Sequence, residues 1–147
     1  MTSCDTNILF VALEATRPGH LRARAFLDSH RDNRSFVICE LVLLELYLLL
    51  RNPTICHRPL GAPEAVGVIR QLTANPAWML VDYPGPEHAL SMRLWELAAA
   101  PDFPGRRIID ARLALALRHH GVTEFATANP RDFQGFGFRR VWDPLKD

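Results

Sequence analysis

Three acidic residues stand at positions where packing alone would not require a charge. Glu45 lies within LVLLELYLLL, an apolar segment in which a carboxylate is costly to bury unless it is paired or holds a cation. Asp110 begins an apolar helical stretch, and Asp5 directly follows a short β-type run at the start of the chain. Each acid also has an ordinary structural explanation: an ion pair or a partly exposed position for Glu45, a helix-dipole interaction for Asp110 and an N-cap for Asp5. Taken one at a time, the three acids do not decide between structure and chemistry.

The elements that must position these acids follow from the pattern of apolar residues. Strands are predicted near Cys4 and over 35–39, 78–82, 123–127 and 139–142, and helices over 8–14, 20–29, 40–51, 62–73, 87–100 and 108–120. Strands that alternate with helices predict a parallel sheet covered on both faces and connected by right-handed crossovers. We therefore predict a single α/β domain over residues 1–147, a three-layer sandwich with a five-stranded parallel sheet.

The carboxyl ends of the strands form one edge of this sheet, and all three acids fall on it. Asp5 ends strand one, Glu45 lies little more than a turn into the helix after strand two, and Asp110 begins the helix before strand four. Asn129 and Asp132 follow strand four at the same edge, which is where open α/β sheets bind ligands. Gathered carboxylates repel one another unless a cation is present, and oxygen donors without His or Cys at ligand spacing suit Mg²⁺ or Mn²⁺. The sequence therefore predicts a hard-cation site.

In their order along the chain, these motifs resemble the PIN-domain ribonucleases, and more narrowly the VapC-type toxins of bacterial toxin–antitoxin modules. The resemblance spans Met1 to about Leu145 and rests on Asp5-Thr6-Asn7, ICELVLLELYLLLRNP, RRIIDARLALAL, and FATANPRDF followed by a strand and Asp143-Pro144. It implies a PIN-like fold and hydrolysis of RNA that depends on one or two Mg²⁺ or Mn²⁺ ions. It also implies a homodimer and a small cognate VapB-type antitoxin that covers the acidic site.

The resemblance gives Asp5, Glu45 and Asp110 the positions of three catalytic acids that bind metal. At the fourth position many of these enzymes have Asp where this chain has Asn129, and an acid follows three residues later at Asp132. Both are kept as catalytic candidates, and Asn129 is predicted to be the fourth metal ligand because it follows the strand more closely.

Four further residues are predicted to orient the acids or to contact substrate. They are Thr6, Asn7, Arg112 and Thr127. Arg106 and Arg107 have two possible explanations from sequence, contact with RNA or a solvated loop.

Composition restricts the function classes. Among 147 residues there are 17 basic and 16 acidic ones with no long block of one sign, which argues against a polybasic nucleic-acid tail or a membrane-surface strip. The chain has no GxGxxG after the first strand and no GxxxxGK[ST], so nucleotide binding has no support. Three cysteines without CxxC spacing and no apolar leader lead us to expect a cytoplasmic protein that does not enter the membrane.

Two functions from other classes are weighed against the nuclease. A receiver-like phosphoacceptor domain needs paired acids after strand one and a late lysine, and the only lysine is Lys146 in the tail. A catalytically silent PIN-like scaffold that binds RNA or a protein would be free to lose Glu45 or Asp110, and the chain has both. A cleavage assay with and without chelator separates the enzyme from the scaffold.

Overall fold

A five-stranded parallel sheet organises the chain, as predicted. The computed structural model describes residues 1–146, so position 147 of the predicted domain lies outside the described residues. The strand order is β3-β2-β1-β4-β5 and every neighbouring pair is parallel. The strands are β1 (Thr2–Cys4), β2 (Phe36–Cys39), β3 (Met79–Val81), β4 (Glu124–Ala126) and β5 (Arg140–Trp142).

Helices cover the two faces of this sheet. They are α1 (Thr6–Leu13), α2 (His20–Ser29), α3 (Glu40–Arg51), α4 (Ala62–Thr73), α5 (Ala89–Ala98) and α6 (Arg107–His119), and a 3₁₀ turn (Pro130–Phe133) follows β4. Right-handed crossovers from β1 to β2 to β3 place α1 to α4 on one face. The return from β3 to β4 runs the other way along the sheet, so α5, α6 and the 3₁₀ turn share the opposite face, where α6 contacts both of the others. This is the predicted three-layer arrangement.

Two helix starts differ from the predicted ones where a side chain caps the helix, and α6 runs from Arg107 to His119 rather than over 108–120. Helix α1 begins at Thr6 rather than at position 8, because the Asp5 carboxyl accepts a hydrogen bond from Thr6 N at 2.7 Å. Helix α5 begins at Ala89 rather than at position 87, because the His88 imidazole accepts a hydrogen bond from Leu90 N at 3.1 Å. Helices α2, α3 and α4 have the predicted bounds.

Helix α3 presents apolar side chains both toward the sheet and on its outer face. Val42 and Leu46 are fully buried, whereas Leu44 is 56% exposed and Leu48 is 66% exposed. The helix therefore has an inner face against the sheet and an outer apolar face, and Glu45 lies between them. Among the helices of residues 1–146, none has both the length and the apolar character needed to cross a bilayer.

The central strand β1 sets the position of the first acid. Cys4 is fully buried and pairs with Ala126 of β4. The ladder continues for one more residue, since Asp5 N donates to Ala126 O at 2.9 Å. The carboxyl of Asp5 is therefore held beside the segment that follows β4.

Candidate active site

Asp5 is held by three hydrogen-bond donors at the junction of β1 and α1. Its Oδ1 accepts from Thr6 N at 2.7 Å. Its Oδ2 accepts from Asn7 Nδ2 at 2.8 Å and from Thr127 Oγ1 at 2.7 Å. Since both oxygens are engaged, the carboxyl group has one fixed orientation, half-buried at the carboxyl edge of the sheet.

Thr127 and Asn7 connect Asp5 to the segment after β4. Thr127 is fully buried, and its Oγ1 also accepts hydrogen bonds from Asn129 N at 3.1 Å and Asn7 Nδ2 at 3.3 Å. Asn7 Oδ1 in turn accepts from Ala128 N at 3.1 Å. Both side chains lie where residues that orient Asp5 are expected, and the same network fixes the backbone at Asn129.

Glu45 is joined to the same network through Thr6. The Thr6 hydroxyl donates to Glu45 Oε2 at 2.8 Å, which links the first turn of α1 to the middle of α3. Glu45 is half-buried, and no Lys, Arg or His side chain within residues 1–146 forms an ion pair with it. The structure therefore does not support the ion-pair explanation of this acid.

Asp110, Asn129 and Asp132 line a cleft of about 500 Å³, together with Pro104, Arg106 and Arg107. Asp110 lies in the first turn of α6, and Asn129 immediately precedes the 3₁₀ turn. The turn is closed by its backbone, since Asp132 N donates to Asn129 O at 3.1 Å. Asn129 makes no side-chain capping hydrogen bond, so its amide group is not needed to close the turn.

The acids joined through Thr6, which are Asp5 and Glu45, and the acids that line the cleft, which are Asp110 and Asp132, influence one another electrostatically. Burial raises the pKa of Asp5, Glu45 and Asp110 above the usual carboxyl values. Neighbouring carboxylates raise these pKa values further. Glu45 raises the pKa of Asp5, Asp110 raises the pKa of Glu45, and both Asp5 and Asp132 raise the pKa of Asp110. The hydrogen bonds from Thr127, Thr6 and Asn7 lower the pKa of Asp5 and oppose this effect. The cluster is therefore self-repelling when its members are ionised.

The donor chemistry of this cluster fits a hard divalent cation. Carboxylate and amide oxygens are the ligands that Mg²⁺ and Mn²⁺ favour, and their charge would relieve the repulsion among the carboxylates. Within residues 1–146 no three His, Cys, Asp or Glu side chains are already gathered closely enough to form a metal site. The carboxylates would therefore have to draw together around an ion.

Arg112 lies beside different partners from those of Asp110. Its guanidinium carbon is 4.9 Å from the centre of the Tyr83 ring. The neighbouring Asp82 carboxyl raises the pKa of Glu40, and the charge of Arg112 lowers it. Its assignment to substrate phosphate or to orientation stays a prediction. Glu40 and Asp82 were not predicted as site residues, although each directly follows a strand and so lies at the same sheet edge.

Comparison with known proteins identifies the family of this chain. The PIN domain family matches residues 3–138. Ribonuclease VapC24 of Mycobacterium tuberculosis is 51% identical over 146 residues, which cover 99% of this chain and 97% of the relative. Ribonuclease VapC48 of the same species is 27% identical over 143 residues, 96% of this chain and 95% of the relative.

Solved structures show the same fold at lower identity. The crystal structure of M. tuberculosis VapC20, a sarcin-ricin loop cleaving toxin, has a TM-score of 0.64 and 16% identity over 85% of this chain and 87% of its own. The DNA-bound VapBC complex from Salmonella typhimurium has a TM-score of 0.62 and 20% identity over 97% of each chain. The family match, the identity to VapC24 and the shared fold lead to one conclusion: this chain belongs to the PIN-domain family, among the VapC ribonucleases.

Proposed function

We propose that this protein is a metal-dependent ribonuclease and the toxin of a VapBC-type pair. One observation carries the proposal: Asp5, Glu45 and Asp110 all lie partly buried at the carboxyl edge of the sheet, and none of them forms an ion pair within residues 1–146. The pKa of each is raised by burial and by another carboxyl of the cluster. Nothing in the packing of the sheet requires such a cluster. The relationship to proteins named as VapC ribonucleases supports RNA as the substrate.

Asp5, Glu45 and Asp110 would hold one or two Mg²⁺ or Mn²⁺ ions, with Asn129 as the fourth ligand and Asp132 beside Asp110. When bound, such an ion supplies Lewis acidity toward the phosphate and lowers the pKa of a water molecule. Asn7 and Thr127 keep the Asp5 carboxyl in one orientation, and Thr6 does the same for Glu45. These hydrogen bonds thus fix the carboxylate oxygens that would bind the ion.

The cleft beside these acids suits a single strand of RNA better than a duplex. It is about 500 Å³, and the exposed Arg106 lies on its rim, where a guanidinium can bind a backbone phosphate. Unpaired loops present bases and backbone that can be drawn into such a site. With water as the nucleophile, hydrolysis leaves a 5′-phosphate and a 3′-hydroxyl, and the RNA 2′-hydroxyl takes no part.

The first experiment is cleavage of a labelled RNA hairpin with a single-stranded loop, with and without chelator. We expect excess EDTA to abolish cleavage, and added Mg²⁺ or Mn²⁺ to restore it, because the carboxylates repel one another without a cation. Undiminished cleavage in EDTA by protein free of contaminating nuclease would refute the metal dependence.

The same Mg²⁺ titration tests the fourth ligand. A neutral amide binds Mg²⁺ more weakly than a carboxylate, so Asn129→Asp should lower the Mg²⁺ concentration for half-maximal cleavage, and Asp132→Asn should have the smaller effect. If Asp132→Asn abolishes cleavage while Asn129→Asp changes nothing, Asp132 is the fourth acid.

A small VapB-type antitoxin is part of the proposal, because a cluster of carboxylates at the sheet edge of a chain of net charge +1 suits an Arg or Lys side chain from a partner. Expression of the protein alone should arrest growth of a bacterial host, and co-expression of the small protein encoded upstream should restore it. Growth should also be normal with Asp110→Asn. Harmless expression of protein that cleaves RNA in vitro would refute the toxin role and leave the nuclease role standing.

The proposal also includes a homodimer in the cytoplasm. The three free and buried cysteines, Cys4, Cys39 and Cys56, agree with a reducing compartment. Light scattering in solution checks the dimer, which should have twice the mass of the chain.

A further inference from the structure

Two arginines near opposite ends of α6 make the same two kinds of contact. Arg107 Nη2 donates to Asp132 O at 3.1 Å, and its guanidinium carbon is 5.8 Å from the centre of the Phe136 ring. Arg118 Nη1 donates to Val122 O at 2.5 Å, and its guanidinium carbon is 5.8 Å from the centre of the Phe138 ring. Of the two, Arg107 lines the acidic cleft.

Few backbone hydrogen bonds join the turn that Arg107 contacts to its flanks. Besides the bonds inside the 3₁₀ turn, two backbone hydrogen bonds join the turn to its flanks: Asp132 N to Asn129 O at 3.1 Å and Gln134 N to Arg131 O at 3.4 Å. The chain then passes through Gly135, whose φ of +87° is in the left-handed region that favours glycine. A short 3₁₀ segment with weak hydrogen bonds needs contacts from outside to keep one geometry.

Phe133 anchors the turn in the core, where its ring centre is 4.6 Å from that of Phe125 of β4. The guanidinium of Arg107 adds outside contacts from α6 where the turn borders the cleft. It bonds the Asp132 carbonyl on one side and packs over Phe136 on the other, so it bridges the turn and the segment that follows it. Within residues 1–146 its Nε is buried without a hydrogen-bond partner. An unpaired buried donor is unfavourable, which indicates that the side chain is held in this place by its other contacts rather than by solvation.

We propose that Arg107 is a positioning residue, which clamps the Asn129–Phe133 segment onto α6 so that Asn129 and Asp132 face Asp110 across the cleft. The role in ion binding rests on the proposed function. The positive charge of Arg107 repels a metal ion in the cleft. Arg107 therefore favours ion binding through the position it gives to Asn129 and Asp132, not through its charge.

Charge-conserving variants separate geometry from charge. Arg107→Lys keeps the positive charge but replaces the planar, five-donor guanidinium with a compact ammonium that cannot bond the carbonyl and lie over the ring in the same way. Arg118→Lys is the matched control, because it changes the same contacts in the same helix away from the cleft.

Two readouts test the clamp: hydrogen–deuterium exchange of the metal-free protein, and the dissociation constant of Mn²⁺ measured by electron paramagnetic resonance. In Arg107→Lys we expect the amides of residues 129–134 to exchange roughly two- to tenfold faster, the effect of about one hydrogen bond. We expect the Mn²⁺ dissociation constant to rise about tenfold, as for the loss of an outer contact to a metal site. Arg118→Lys should change neither quantity.

Equal exchange at residues 129–134 in Arg107→Lys, Arg118→Lys and the parent would overturn the clamp. Faster exchange in Arg107→Lys with an unchanged Mn²⁺ dissociation constant would overturn its role in positioning the site. If the parent itself binds no Mn²⁺, the proposed function fails, and the exchange comparison alone then decides whether Arg107 holds the turn.

Discussion

Replacing Asp110 with asparagine should reduce RNA cleavage by at least about 100-fold and leave the metal-free protein folded. Loss of an outer contact to a metal site already costs roughly 10–100-fold in affinity or activity, and Asp110 is proposed to touch the ion itself. Asparagine has nearly the same shape, so the cleft keeps its walls. The change replaces one carboxylate by a neutral amide in a cluster in which Asp5 and Asp132 both raise the pKa of Asp110.

The stability of the metal-free protein should depend on pH in a direction that the raised pKa values fix. The folded pKa of Asp5, Glu45 and Asp110 lies above the unfolded value, first because of burial. The stabilising contribution of the protonated forms is fully present below the unfolded pKa of about 4 and is lost as the pH rises through the raised folded values. At neutral pH, Asp110→Asn should therefore melt at or above the melting temperature of the parent, and this difference should close toward pH 4.

Thermal melts between pH 4 and 7.5 in EDTA, together with the cleavage assay, measure both effects. Asp102→Asn is the matched control, because Asp102 is exposed in the loop ahead of α6, and it should leave stability and cleavage unchanged. Loss of a favourable charge at the first turn of a helix costs about 0.3–1 kcal/mol. Destabilisation of Asp110→Asn by more than this at neutral pH would favour the purely structural explanation of this acid.

The fold was predictable from sequence because short β-type runs alternate with apolar helical segments through most of the chain. The predicted bounds of α2, α3 and α4 agree with the structure. The start of α1 was misplaced because Asp5 both ends the ladder of β1 and caps the helix, so no turn separates the two elements. The N-cap at Asp5 was one explanation of this acid from sequence, but the pattern of apolar residues alone placed the start of the helix at residue 8.

The placement of the candidate acids at one sheet edge was predictable from sequence, but the contacts of these acids were not. The topology brings Asp5 and Asp110 to one edge, and this could be worked out from the alternation of elements. That Thr6 donates to Glu45, and that Arg107 bonds the Asp132 carbonyl, depends on how α1 packs against α3 and how α6 packs against the 3₁₀ turn. Sequence spacing carries no information about such pairs between distant elements.

Replacing Thr127 with valine should lower both the stability of the protein and its rate of cleavage. Thr127 is fully buried, and its hydroxyl donates to Asp5 Oδ2 and accepts from Asn129 N. Valine has the same shape but leaves Asn129 N without this acceptor and Asp5 with one donor fewer. A buried group that loses its partner costs about 1–3 kcal/mol, and the loosened Asp5 carboxyl should slow cleavage by roughly 10–100-fold.

Urea denaturation and the cleavage assay on three variants decide whether the hydroxyl of Thr127 has this role. Thr127→Ser keeps the hydroxyl and should retain most of the cleavage rate, although it loses a buried methyl group. Thr123→Val is the control at the other end of β4: its hydroxyl makes one 3.4 Å bond to Met1 O, which also accepts from two backbone amides. It should therefore lose little of either property. If Thr127→Val cleaves as fast as Thr127→Ser, Asp5 does not depend on this hydroxyl, and the network around it is structural rather than part of the active site.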